Sequence, residues 1–227
     1  MDNVLFRCSR LGDLMTSGRK KDELLGQTSK SFIEETWLKN KYGYEETIMT
    51  DAMLKGHLCE SESRVLIHQV LGGEMRLRNE ERLNNDYVIG TPDVVLKKED
   101  VVEDIKNSQN IRTYLKSEIT KNYYWQAQGY MWLTGKKKYR LIYTLNPDPF
   151  EIVEEQKKRL FFKYNCDESN QDYIDFCSQI DKNQNIINSL SKKEKVKVFE
   201  IEYSLSDIEK LKNQVEEARK YYETLTL

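Results

Sequence analysis

Gly90-Thr91-Pro92-Asp93, separated by a short gap from Val101-Val102-Glu103-Asp104-Ile105-Lys106, is the stretch on which the reading of this chain turns. Two apolar, β-type runs, Tyr87 to Leu96 and Val101 to Ile105, flank the polar Lys97-Lys98-Glu99-Asp100, so the segment reads as a β-hairpin with its tip at that polar stretch. With the turn centred between Lys98 and Glu99, Asp93 falls opposite Asp104, and opposed strand positions hold their Cβ atoms ~4.5–5.5 Å apart. Side chains alternate along a strand, so Lys106 shares a face with Asp104. Adjoining carboxylates resist ionising together unless a cation sits between them, and hard oxygen ligands with room for water suit Mg²⁺. An Asp-x-Lys strand is also a common solvated face whose exposed ion pair is worth little. Against that reading, both aspartates interrupt apolar runs, where an unpaired charge is costly to bury. The hairpin therefore predicts a metal site.

Working outward, the 227 residues suffice for a full core, and 38% hydrophobic with 11% aromatic residues indicates a folded globule, read as a single domain over 1–227. A formal net charge of −2 excludes a strongly basic nucleic-acid-coating protein. It is compatible with a nuclease, whose acidic metal site and local basic channel cancel in the total. The start, Met1-Asp2-Asn3-Val4-Leu5-Phe6-Arg7, lacks a secretory apolar core, and no run approaches the length of a membrane span, so a cytoplasmic protein without membrane association is expected. Cys8, Cys59, Cys166 and Cys177 lack CxxC or zinc-like spacing and read as reduced thiols.

Residues 1–50 read as helical and polar. Ser9 caps a first helix carrying Leu11, Leu14 and Met15, a basic loop Ser17-Gly18-Arg19-Lys20-Lys21 follows, and a second helix runs from about Thr28 to Tyr42. A serine at a helix start beside Arg10 and Arg19 is either a simple cap or a phosphate contact. From Asp51 to Leu71 an apolar stripe of Met53-Leu54, Leu58, Val65-Leu66 and Val70-Leu71 predicts a helix ended by Gly72-Gly73. Within it Glu60 and Glu62 occupy different faces, so one at most reaches a shared site. His57 and His68 have no zinc-like partner spacing.

Glu74 to Leu83 reads as a strand, residues 107–113 as a loop, and about Lys116 to Leu133 as a helix. Gln126 and Tyr130 lie four apart on it, so an amide and a phenol meet either one phosphate or base edge, or the core. Tyr139 to Leu145 reads as a strand broken by Asn146-Pro147-Asp148-Pro149. Residues 150–195 are helical in tendency, with polar breaks near Cys166 to Asn170 and Asn183 to Asn185. Val196 to Tyr203 is a final strand, and Ser204 or Ser206 caps a helix to Tyr222 with Leu205, Ile208, Leu211, Val215 and Ala218 on one face.

The ordered set Glu60, Asp93, Asp104-x-Lys106 and Gln126-x-x-x-Tyr130 resembles the PD-(D/E)xK nuclease superfamily. More narrowly, the chain is similar to the phage recombination exonucleases related to lambda exonuclease, the viral recombinases. Gly56-x-x-x-Glu60 resembles the helical glutamate motif, Gly90-Thr91-Pro92-Asp93 the second motif and Asp104-Ile105-Lys106 the third. Trp125 to Gly135 resembles the glutamine helix, and Cys8-Ser9-Arg10-Leu11-Gly12 the N-terminal serine segment. The tryptophan and arginine that precede that serine in lambda-like members have only Arg7 as a counterpart. Glu103 stands where an apolar residue is expected.

What the resemblance implies is an α/β fold with a restriction-endonuclease-like core: a central mixed β-sheet flanked by helices. Residues 1–50 would form a helical DNA-entry segment, 51–145 the catalytic core, and 146–227 a helical extension with a final strand and helix. Asp93, Asp104 and the backbone carbonyl of Ile105 would hold Mg²⁺ or Mn²⁺, Glu60 reaching it through water or holding a second ion. Lys106, its pKa depressed by the cation, would orient or deprotonate the attacking water. Gln126, Gln128, Tyr130, Ser9, Arg10 and Arg19 would contact DNA. The implied activity is Mg-dependent exonucleolytic hydrolysis of linear duplex DNA, 5′ to 3′, in phage-type recombination within a bacterial host cell. A homo-trimer and a single-strand-annealing recombinase partner are implied by the same analogy. Iron–sulfur relatives need three cysteines after the core, and only Cys166 and Cys177 follow, so no iron–sulfur cluster is expected. The alternatives are a structure-specific or nicking endonuclease of the same fold and a non-catalytic DNA-binding recombination module.

Overall fold

A computed structural model describes residues 4–18, 23–46, 49–165 and 167–227. In chain order the elements are β1 (Phe6–Arg7), α1 (Leu11–Leu14), α2 (Gln27–Tyr42), α3 (Asp51–Leu58), α4 (Glu60–Leu71), β2 (Leu83–Asn84), β3 (Val88–Gly90), β4 (Val94–Leu96), β5 (Val101–Asn107) and α5 (Ile111–Leu115). They continue with α6 (Lys121–Thr134), β6 (Lys138–Thr144), α7 (Phe150–Lys163), α8 (Gln171–Ser189), β7 (Val196–Glu202) and α9 (Leu205–Glu223). The strands form a mixed four-stranded sheet, β4-β5-β6-β7, and a smaller sheet, β1-β3-β2. β5 and β6 are parallel, which requires the crossover that α5 and α6 supply. The expected α/β class with a mixed sheet flanked by helices is what the chain adopts. Among the described residues no helix is long and apolar enough to cross a membrane.

The main core lies on the α6 face of the large sheet. Val102, Tyr139 and Leu141 meet Ala127 and Met131, and Phe6, Leu11, Leu14, Phe32 and Ile33 close it from the N-terminal side. α9 completes it with Ile208, Leu211, Val215 and Ala218, whereas Leu205 is exposed. Ser204 caps α9 by accepting from the Asp207 N–H, as its sequence position predicts.

Several elements differ from the sequence expectations. Tyr87 to Leu96 is two strands in two sheets, because Pro92 has no N–H for a ladder and its ring biases Thr91 to a turn-like connection. Phe6–Arg7 is a strand beside β3 and not helical, and Ser9 caps nothing: it lies in a single 3-10 turn, Cys8–Arg10, with no side-chain cap. Most of the Glu74 to Leu83 stretch is extended without strand pairing, only Leu83–Asn84 joining a sheet. The helix expected from Lys116 begins at Lys121, where Thr120 caps it, and α5 precedes it as a separate turn. Asn183 to Asn185 do not break α8.

The largest inversion is in α3 and α4, which meet at a break at Cys59. They bury Lys55, Cys59 and Ser63, spaced i, i+4 and i+8, while Met53, Leu54, Leu58, Val65 and Leu71 are exposed. Specific polar contacts account for this choice. Lys55 Nζ pairs with Asp148 at 2.8 Å and donates to the Gln109 carbonyl at 3.0 Å, and Ser63 Oγ meets Thr144 Oγ1 at 2.9 Å and accepts from Asn146 Nδ2 at 2.8 Å. The segment after β6 thus docks on a polar stripe, and of the apolar residues only Leu66 and Ile67 of α4 are buried with it.

Gly90 is required by packing and not by an unusual backbone angle. A Cβ there would lie 2.6 Å from Tyr130 Cε1 and 3.0 Å from Cys8 Cβ. Gly90→Ala is expected to cost about 1–3 kcal/mol through overpacking, read as a lowered urea midpoint at unchanged m-value.

Candidate active site

Strand alternation and one turn build the centre of the site. The hairpin register pairs Val94 with Glu103 and Leu96 with Val101, so the turn is centred between Lys98 and Glu99 and Asp93 faces Asp104 one step beyond the ladder. Asp93 Oδ2 accepts from the Ile105 N–H at 2.9 Å. N–H and C=O of one strand residue point to the same side. The Ile105 carbonyl therefore projects off the same edge of β5, beside Asp93. Lys106 emerges on the Asp104 face, its Nζ 2.7 Å from Asp104 Oδ2 and 5.2 Å from the centroid of the Tyr123 ring.

From the other side α6 lowers Gln126 onto the cluster, and its Nε2 donates to Asp104 Oδ1 at 2.9 Å. Asp104 is 1% exposed, so a carboxylate is held inside the protein by one amide and one ammonium. Burial and the adjoining Asp104 push the Asp93 carboxyl up to about 7, while Lys106 and the Ile105 N–H pull the other way. Burial disfavours the Lys106 ammonium, but the charges of Asp104 and Asp93 outweigh it and hold its pKa above the ordinary lysine value.

Asp93, Ile105 and Lys106 line a cleft of about 750 Å³, together with Glu60, Arg78 and Asn79. Glu60 is the first residue of α4 and its carboxylate is engaged by Arg64 at 2.6 Å and Arg78 at 3.6 Å. It shares the cleft with the aspartates, but among the described residues no group of three acids, histidines or cysteines is gathered closely enough to hold a metal ion.

Other candidates from the sequence go elsewhere. Gln126 is buried against Asp104 and does not face an open groove. Gln128 points to the opposite side of α6, where it donates to the Glu202 carbonyl at 2.8 Å and accepts from the Ser204 N–H at 2.9 Å. Both its amide ends are bonded at the β7–α9 junction, away from the cleft. Tyr130 is a core residue packed against Gly90, and burial raises its hydroxyl pKa. Arg10 is bonded to Asp13 and to Glu35 at 3.0 Å and lies over the Phe32 ring. Ser9 is exposed on its turn, neither it nor Arg10 lines the cleft, and Arg19 falls outside the described residues.

Glu103 is fully buried on the back of β5, where strand alternation turns it away from Asp104. It accepts from Arg76 Nε at 2.7 Å and Nη2 at 3.0 Å, and from Arg140 at 3.3 Å. The acid at an expected apolar position is thus neutralised by two guanidinium groups. Arg78, Asn79 and Tyr123 line the cleft without having been singled out from sequence. The first two lie in the segment read as a strand, whose alternation gave no sign of a cleft.

Solved structures share this arrangement of elements. A phage-related exonuclease from Haemophilus somnus 129PT superposes with a TM-score of 0.77 at 22% identity, covering 97% of this chain and 94% of that one. This chain has an exonuclease fold. An alkaline exonuclease from Laribacter hongkongensis carries the same fold at a TM-score of 0.64 and 14% identity, over 98% of this chain and 89% of its own. The same enzyme in complex with dAMP aligns at 0.64 and 16% identity, over 96% and 88%. No protein-family model matches the chain, and no curated protein matches it in sequence. Within the exonuclease fold, Asp93 and Lys106 line the cleft and Asp104 is buried directly behind Lys106.

Proposed function

We propose that this chain is a divalent-metal-dependent deoxyribonuclease that degrades linear duplex DNA from an end, 5′ to 3′, in phage-type recombination. The observation that carries the reading is the cluster of Asp93, Lys106 and the buried Asp104, the first two lining a cleft, in a fold shared with exonucleases, one of them complexed with dAMP. The residues fit a hard cation. Burial first and the adjoining Asp104 second raise the Asp93 carboxyl, and among the described residues the Asp104 carboxylate has only the Lys106 ammonium as an ion-pair partner. Asp93, Asp104 and the Ile105 carbonyl would hold it, and when bound it would supply Lewis-acid activation of water and charge stabilisation at the phosphate.

The chain's own groups do the rest. Gln126 fixes Asp104 through Oδ1 and leaves Oδ2 toward Lys106. The Lys106 side chain, paired with Asp104 at 2.7 Å, would orient or deprotonate the attacking water. Glu60, held by arginines, shapes the rim. The cytoplasmic ring of three and the annealing partner belong to the same reading, and the exposed stripe of Met53, Leu54, Leu58 and Val65 offers apolar surface for such assembly.

The test is a labelled linear duplex and a covalently closed circle, each with and without Mg²⁺. Loss of the linear substrate alone supports end-dependent hydrolysis. Cutting of the circle makes the chain an endonuclease, and activity undiminished by EDTA removes the metal. Mg²⁺ is also expected to raise the thermal midpoint, because a cation that binds only the folded state stabilises it. Without metal, the raised Asp93 pKa favours folding below the ordinary carboxylate range and that contribution is lost as pH rises toward about 7. The Mg²⁺-induced gain should therefore grow over the same window, and a pH-independent gain, or none, contradicts the ligand set.

A further inference from the structure

We infer that Arg78 is a phosphate-contact residue of this cleft, its guanidinium exchanging Glu60 for a phosphodiester of the strand that lies over Asp93 and Lys106. The inference rests on the nuclease reading above and names how that site holds its polymer.

Among the described residues lining the cleft, Arg78 and Lys106 are the arginine and lysine cations. Lys106 is committed to Asp104 at 2.7 Å. Arg78 has a side chain 61% exposed, and its acidic neighbour, Glu60, is 3.6 Å away and already bound to Arg64 at 2.6 Å. That is a loose contact for a group with five N–H donors in a planar fork. An exposed pair of this kind is worth little, so giving it up costs little. A phosphate offers the fork two oxygens in matching geometry.

The segment that carries Arg78 has no regular structure, yet it is pinned along its length. The Glu74 carboxylate accepts from the N–H groups of Lys97 and Lys98 at 3.3 and 3.0 Å, at the hairpin tip. Arg76 is buried in its two-pronged pair with Glu103. Asn79 donates its N–H to the Asp93 carbonyl at 2.9 Å and its Nδ2 to the Pro92 carbonyl at 3.0 Å. Arg78 thus stands between two clamps, one residue from a direct main-chain bond to Asp93. Its backbone is held relative to the carboxylates before any ligand arrives, and only the side chain has to move. Preorganisation of this kind suits a group that positions a polymer for chemistry. The bland role, holding Glu60 in place for α4, is already filled by Arg64.

The experiment compares wild type, Arg78→Ala and Arg78→Lys binding a fluorescent linear duplex in EDTA across a salt series, with thermal midpoints recorded. Arg78→Ala is expected to bind about tenfold more weakly, with the log-log salt slope reduced by about 1. Arg78→Lys keeps the slope and loses part of the affinity, since a point charge replaces the fork. All three should melt alike. Wild-type affinity and slope in Arg78→Ala overturn the inference, as does an affinity loss that tracks a lowered midpoint in both variants. The same wild-type sample is then given Mg²⁺. Binding without cleavage sinks the nuclease reading while the affinities still decide Arg78; cleavage with an unaffected Arg78→Ala sinks the Arg78 inference alone; no binding by wild type overturns both.

Discussion

Asp104→Ala and Lys106→Ala are each expected to lower Mg²⁺-dependent degradation of linear duplex DNA by about 10³-fold or more while leaving a folded protein. Asp104 is where the three approaches to the site meet: β5 presents it, α6 grips it through Gln126, and Lys106 lies 2.7 Å from its second oxygen. Removing it takes away one cation ligand and the anchor of the ammonium together. It also relieves Asp93 of a like charge but leaves the buried Gln126 amide without its acceptor, a loss of about 1–3 kcal/mol that lowers the metal-free melting midpoint without unfolding the protein. Lys106→Ala is the harsher change to the fold, because it leaves two adjoining carboxylates without their counter-charge. Circular dichroism and thermal melting separate lost chemistry from lost structure. Full activity of either variant ends the proposed mechanism.

Arg76→Met is expected to destabilise the protein by about 3 kcal/mol, read as a fall in the urea midpoint. Glu103 is 0% exposed, and Arg76 supplies both of its shorter hydrogen bonds; the substitution leaves only Arg140 at 3.3 Å. Breaking one partner of a buried pair strands the other charge, whereas replacing both by apolar groups removes the need for solvation. Arg76→Met combined with Glu103→Leu should therefore recover a good part of the loss, with Arg140 retaining Glu99 at 3.0 Å. A single variant within about 0.5 kcal/mol of wild type would show that the network is not holding β5. Since Glu103 is the residue before Asp104, the expected activity change follows the folded fraction, with the turnover of folded molecules preserved.

Legibility from sequence followed the range of the interactions involved. The register of the hairpin was readable because a short polar tip between two apolar runs sets it, and period-two alternation then puts Lys106 beside Asp104, although the first arm is cut at Pro92 to Val94–Leu96. β6, β7 and α9 were readable for the same reason, each carrying its own period and its own cap or breaker. Glu74 to Leu83 reads as a strand from its alternation, but only Arg76 turns inward, to Glu103, while Met75, Leu77 and Arg78 are exposed and no ladder forms before Leu83. The stripe on α3 and α4 misled in the other direction: apolar periodicity marks a face fit for burial, but beside Leu66 and Ile67 the fold buries Lys55 and Ser63, which find partners in Asp148, Thr144 and Asn146, and leaves Met53, Leu54, Leu58 and Val65 exposed.

By itself, then, the sequence determined the α/β class, the hairpin and the pairing of Asp93, Asp104 and Lys106, all set by neighbours a few residues apart along the chain. The tertiary structure alone decided that Gln126 serves Asp104, that Gln128 serves the β7–α9 junction, that Glu103 is neutralised from behind, and that Arg78 reaches the cleft. These depend on which distant segment packs against which face. A carboxamide or a guanidinium takes whatever partner the fold brings within 3 Å, and no period within one element reports that partner.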